Sequence, residues 1–195
     1  ELMTNLSMSL VNALYNLQLM KIAGENGVAA YGAVMYVNFI FVATFLGYAI
    51  GCAPVISYHY GAGNHAELKN LYKKSMSIIL VWGVILFGAA QLLAPVLSKI
   101  FVGYNTGLYA MTLHGFRVYA IAFLIIGINI FGSSFFTALN NGLISAVISF
   151  LRTLVFQVIM VLTLPLWFGI NGIWSAISIA EALTLIMTTT FFVRQ

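Results

Sequence analysis

Residues 28–57 read VAAYGAVMYVNFIFVATFLGYAIGCAPVIS, and not one of them is Lys, Arg, Asp or Glu. A helix needs about 20 mostly apolar residues to cross the hydrocarbon core of a bilayer. This run exceeds that length, and it decides the fold class. Charge-free gaps of similar character recur from Lys74 to Lys99, from Arg117 to Arg152 and from Arg152 to Glu181. Across 195 residues, 62% are apolar and 6% charged, whereas soluble domains carry about 25% charge to face water. The chain reads as all-α, a polytopic transmembrane bundle with no room for a separate soluble domain.

Apolar runs punctuated by Gly, Asn and Pro place six spans at about 2–22, 28–57, 70–94, 109–139, 143–165 and 172–193, forming one unit over 1–195. Barrel strands are shorter and alternate in polarity, so they do not fit. The stretch PVLSKIFVGYNTG, residues 95–107, is amphipathic and reads as a break lying along the interface. Six spans put both termini on one side. That side collects Lys69, Lys73, Lys74 and Arg194, against Lys21 and Lys99 opposite. Lys and Arg favour the cytoplasm, so both termini are expected there, in a multi-pass protein of the cell (inner or plasma) membrane.

Residues 1–20 lack the positive start and cleavage site of a signal peptide. The chain opens at Glu1, almost inside an apolar helix, as expected of a segment cut from a longer protein. Eight basic residues scattered along the chain make no nucleic-acid-binding face. The single cysteine, Cys52, excludes a disulfide framework.

Polar side chains within such spans must face protein or a wet cavity. The first span carries Asn5, Ser9, Asn12 and Asn16 at i, i+4, i+7 and i+11, which share one narrow helical face. The fourth repeats the device with Asn129, Ser133 and Asn140, Thr137 lying at the edge. Such stripes can be hydrogen-bonded glue between helices or the wall of a substrate cavity. Three Asn on one face exceed what docking needs, which favours the cavity.

Glu181 lies nine residues into the last span and Arg152 nine into the fifth. At about 1.5 Å per residue both are roughly 13–16 Å deep, entered from opposite sides. They are expected to meet near the midplane. An intramembrane carboxylate can trade protons or hold a cation, while a buried ion pair can also merely lock two helices. Both readings stay open.

Arg117 and His114 sit one turn apart near the outer end of the fourth span, where a snorkelling Arg fits better than a gate contact. His59 and His65 flank a loop without companions for a metal site. Packing and interface belts account for most aromatic residues, and a few could line a pocket for flat cations, though the sequence does not say which. The chain has no Asp, no H-E-x-x-H, no G-x-S-x-G and no P-loop, so neither catalysis nor a cofactor is expected.

The turn Ser57-Tyr58-His59-Tyr60-Gly61-Ala62-Gly63-Asn64, followed by Leu68-Lys69 and Lys73-Lys74, resembles the multidrug and toxic compound extrusion (MATE) family. Gly27-Val28-Ala29-Ala30-Tyr31-Gly32 is similar to that family's entry into the preceding helix. Ser149-Phe150-Leu151-Arg152, Phe168-Gly169-Ile170-Asn171-Gly172-Ile173-Trp174-Ser175-Ala176 and Glu181 are similar to its last two helices. Gly61, Ala62, Gly63 and Asn64 would form the cytoplasmic turn, with Gly61 and Gly63 allowing the reversal. The resemblance implies a C-terminal six-helix lobe whose partner is an N-terminal lobe of the same chain. It also implies exchange of Na⁺ or H⁺ for amphipathic, often cationic compounds by alternating access. Many relatives carry an acidic residue near the start of this lobe. Here Glu1 and the non-titrating Asn5 stand there, which shifts ion coupling toward the other lobe.

Two other functions compete. A lipid-linked oligosaccharide flippase of the same superfamily would need several cavity cations for a pyrophosphate, and only Arg152 and Arg117 are available. A non-transporting scaffold or channel subunit leaves the polar stripes without a purpose.

Overall fold

The computed structural model describes the backbone of residues 2–193 and the side chains of residues 7–193. Among these, every regular element is helical. The first is α1 (Leu2–Gly61), a run of 60 residues with one non-helical position, Gly24, at φ 63 and ψ −154. Only a residue without Cβ adopts that backbone cheaply. The arms 2–23 and 25–61 fold back on each other at this point. Tyr15 and Tyr31 stack with ring centroids 5.1 Å apart, where a straight helix would hold them about 24 Å apart. The run is therefore two helical arms folded against each other, and the expected loop from Lys21 to Gly27 contracts to a single residue.

α2 (His65–Val102), α3 (Thr106–Tyr119) and α4 (Phe123–Ala138) follow, α3 and α4 being joined through a 3₁₀ turn at Ala120–Ala122. α5 (Gly142–Phe150) and α6 (Gln157–Phe168) are joined through π-helix at Leu151–Phe156, and α7 (Ile170–Val193) closes the bundle. Among the described residues, five continuous runs are long and apolar enough to cross a bilayer, the first being the folded α1.

The stretch 95–107 differs from its reading as an interfacial break. α2 carries Pro95 inside it and continues to Val102. Proline is tolerated in membrane helices because neighbours and local adjustment satisfy the freed backbone groups. The real break is 103–105, where the Asn105 side chain accepts from the Leu108 N–H (3.1 Å) to start α3.

The turn after α1 shows why its residues are what they are. The N–H of Gly63 donates to the Tyr60 carbonyl (3.1 Å) and that of Asn64 to the His59 carbonyl (2.9 Å). This double closure needs a left-handed residue at its centre, and Gly63 has φ 67. Gly61 needs no such freedom, since it is the last helical residue of α1. Asn64 then caps α2 by accepting from the Glu67 N–H (3.1 Å).

The same device closes α4. Asn140 (φ 58) donates to Thr137 and Asn141 to Phe136, each at 2.9 Å. Asn141 in turn caps α5. Asn140 is thus a turn residue and not a member of the α4 polar face. It stands past the last helical residue, Ala138, where helical periodicity no longer sets direction.

α4 is the central helix, touching α1, α2, α5 and α7. Phe135 and Phe136 of α4 meet Tyr72 of α2 and Phe192 of α7 in a ring cluster with centroids 4.8–6.4 Å apart. The outer helices keep Ile40, Leu92, Leu166 and Trp167 exposed. Lipid tails are as apolar as these side chains, so an outward apolar face is what a bilayer requires.

Candidate functional site

Glu181 projects from the middle of α7 into the bundle and is 1% exposed. Arg152 comes from the π-helical stretch joining α5 and α6. Such widened turns are rare and frequent at functional sites. Arg152 Nε donates to Glu181 Oε1 at 2.8 Å and to Oε2 at 3.0 Å. The expected pairing of Arg152 with Glu181 is therefore present. Asn129 of α4, fully buried, completes the group by donating from Nδ2 to Glu181 Oε2 (2.7 Å) and to the Glu181 carbonyl (2.9 Å). Three helical segments meet at one carboxylate, and the charge is held by an ion pair plus an amide.

This group forms one end of a cavity of about 400 Å³. The far wall comes from α1, whose fold at Gly24 brings Asn12, Tyr15, Tyr31 and Asn38 to the same space. Tyr31 donates from its hydroxyl to Asn12 Oδ1 at 3.0 Å. The hydroxyl of Tyr15, Oδ1 of Asn38 and Oδ1 of Asn129 are buried without a hydrogen-bond partner. Gln157 and Tyr119 add polar edges, while Met8, Met35, Phe39, Val42 and Leu46 supply an apolar surface. An apolar chamber with a few convergent polar groups is the usual form of a small-molecule site.

Of the residues expected to line a pathway, Asn12, Arg152 and Glu181 line this cavity. Asn129 stands directly behind it, on Glu181. Ser9 and Asn16 are exposed and do not line it. The side chain of Asn5 lies outside the described residues. Ser133 bonds Ser145 (2.9 Å) and Ser149 (2.7 Å), and Thr137 joins through Ser145 (2.7 Å). That hydroxyl cluster ties α4 to α5, so this part of the stripe is glue between helices. Gln157, Asn38 and Tyr119 were not singled out from sequence. Gln157 follows Arg152 by five residues, a spacing that shares a face only where the helix widens to a π turn.

Other candidates stand apart. His114 pairs with Asn171 (2.7 Å) between α3 and α7, and Arg117 is exposed away from the cavity. No group of three metal-ligating side chains gathers among the described residues. A second, smaller recess of about 180 Å³ between α1 and α2 is lined by Thr44, Phe45, Tyr48, Ile78, Ile79 and Trp82 and holds no charge.

The family model MatE matches residues 2–163 of the chain. No curated protein matches it significantly. Among solved structures, an inward-facing multidrug resistance MATE family transporter of the MOP superfamily superposes with TM-score 0.91 at 22% identity, over 97% of this chain and 44% of that one. An outward-facing transporter of the same description gives 0.89 at 22% identity, over 96% and 42%. A MOP superfamily transporter from Pyrococcus furiosus gives 0.88 at 22% identity, again over 96% and 42%. The chain spans less than half the length of these structures, with which it shares a fold.

Proposed function

Because the chain belongs to the MatE family, the multidrug and toxic compound extrusion transporters, we propose that it is one lobe of a secondary antiporter, the C-terminal one. In this reading a second six-helix lobe of the same chain closes the cavity. The two lobes rock about it and export amphipathic, often cationic compounds in exchange for Na⁺ or H⁺. The observation that carries the proposal is the buried Glu181–Arg152 pair at the end of a largely apolar chamber. A charged pair at mid-depth is costly unless it serves the pathway or the packing around it. Here it does not sit sealed between helices but borders the open space.

Both termini are assigned to the cytoplasm of a plasma or inner membrane. The exposed Lys69, Lys73 and Lys74 beside the Gly63 turn support that orientation. A lipid-linked flippase is less well supported, since among the described residues Arg152 is the only Lys or Arg lining the cavity and Arg117 stands apart from it.

The test is efflux of a fluorescent cationic dye from cells expressing the full-length parent, repeated with the Na⁺ gradient and then the proton gradient collapsed. Export that stops with one gradient supports the antiporter and names its ion. No export under either, with the protein folded and inserted, rejects it.

A further inference from the structure

Arg152 engages Glu181 with one of its five N–H donors, the one on Nε. Its terminal nitrogens have no protein partner among the described residues, yet they are not sealed, because Arg152 lines the cavity and its side chain is 18% exposed. Glu181 borders the same cavity but is only 1% exposed, with both oxygens already accepting. The free hydrogen-bonding capacity that the pair offers the cavity is therefore on the guanidinium. Among the described residues, no second acidic side chain lines the space.

The neighbours fit the same polarity. Tyr15 offers a hydroxyl proton that no buried acceptor takes. Gln157 carries amide N–H groups into the same cavity. A planar guanidinium with two free terminal nitrogens suits the bidentate geometry of carboxylate or phosphate. Opposite it, Met35, Phe39 and Val42 would cover an apolar body.

We propose that this lobe holds the anionic group of an amphipathic ligand (carboxylate, sulfonate or phosphate) on the terminal nitrogens of Arg152. The inference rests on the reading of the lobe as half of a transport chamber, and it names the chemistry that this half recognises. Acids and zwitterions satisfy it. A purely cationic compound finds its attraction elsewhere in the transporter.

The experiment uses the full-length parent in phosphatidylcholine nanodiscs and three probes with one apolar body: pyrenebutyrate, pyrenebutanol and pyrenebutylammonium. Binding is followed by pyrene fluorescence. The butyrate is expected to bind about tenfold tighter than the alcohol, the scale of one charge-assisted hydrogen bond. The paired variant Arg152→Gln/Glu181→Gln removes both charges together, so no buried charge is stranded. It is expected to abolish that preference and leave the alcohol within about twofold. Arg152→Lys is expected to keep part of it, since a point charge replaces a fork.

An ammonium probe that binds tighter than the butyrate overturns the proposal, as does a butyrate preference that survives the paired variant. Equal binding of all three probes overturns the anion assignment but leaves the transport reading standing. Failure of every probe to bind the folded protein overturns both. Adding phosphatidylglycerol separates the sources of the anion. Displacement of the butyrate points to a lipid phosphate as the natural occupant, and no displacement to a soluble amphipathic acid.

Discussion

Arg152 and Glu181 are bonded side-on, through Nε to both carboxylate oxygens, and the two partners differ in exposure, 18% against 1%. The pair is therefore not symmetric in its energetics. Removing the arginine strands a carboxylate with Asn129 as its remaining donor. Removing the carboxylate leaves a cation that still opens onto the cavity.

Arg152→Gln is expected to cost about 3–5 kcal/mol, the range for a buried charge stripped of its partner. Glu181→Gln should cost about half as much, since Gln keeps the shape and an oxygen for Asn129. Thermal unfolding of the two purified full-length variants checks the order. Equal losses would mean that the cavity does not hydrate the guanidinium.

Glu181→Gln also separates coupling from packing. If Glu181 exchanges protons during transport, the variant loses the pH dependence of dye efflux over the range in which the parent shows one. If the pair only locks α7 to the π-helical segment, the efflux profile keeps its pH dependence and falls in amplitude.

The long apolar helices, the turn at Gly63 and the meeting of Arg152 with Glu181 were all legible in the sequence. Each rests on a quantity that local sequence carries: charge-free length, a φ that glycine supplies, and depth at a fixed rise per residue. The occupancy of the polar faces was not legible. Asn12 reaches the cavity while Ser9 and Asn16, one turn away on either side, do not. The fold at Gly24 sets how far the first arm is turned, and no periodicity within that arm reports it. Ser133 shows the same limit, because a hydroxyl stripe looks alike whether it faces a chamber or the serines of α5. Gln157 was hidden by a π turn that shifts the helical face by about one residue.

Asn140 provides a test of its corrected role. At φ 58 it holds a left-handed closing position, which Gly fills without strain and Ala does not. Asn140→Gly should leave stability unchanged or slightly raised, and Asn140→Ala should lower it by about 1 kcal/mol. Transport by the Gly variant should equal that of the parent, measured as initial efflux rate per inserted protein. A large transport defect in a stable Gly variant would return Asn140 to the pathway.

One close helix approach predicts a rescue as well as a loss. A Cβ placed on Gly127 of α4 would run into the ring of Phe45 on α1 and the side chain of Ile79 on α2. Phe45 is 2% exposed, and the open space beside it is the small recess between α1 and α2. With little hydrophobic driving force between helices in lipid, close packing is a main source of their association. Gly127→Ala should therefore destabilise the bundle by about 1–3 kcal/mol, the usual cost of overpacking. Adding Phe45→Leu should recover part of that loss, even though Phe45→Leu alone opens space and is itself destabilising. The sign of this coupling, read in thermal unfolding of the two single variants and the double, is the informative quantity. Additive losses would mean that α1, α2 and α4 do not meet at Gly127 as closely as described.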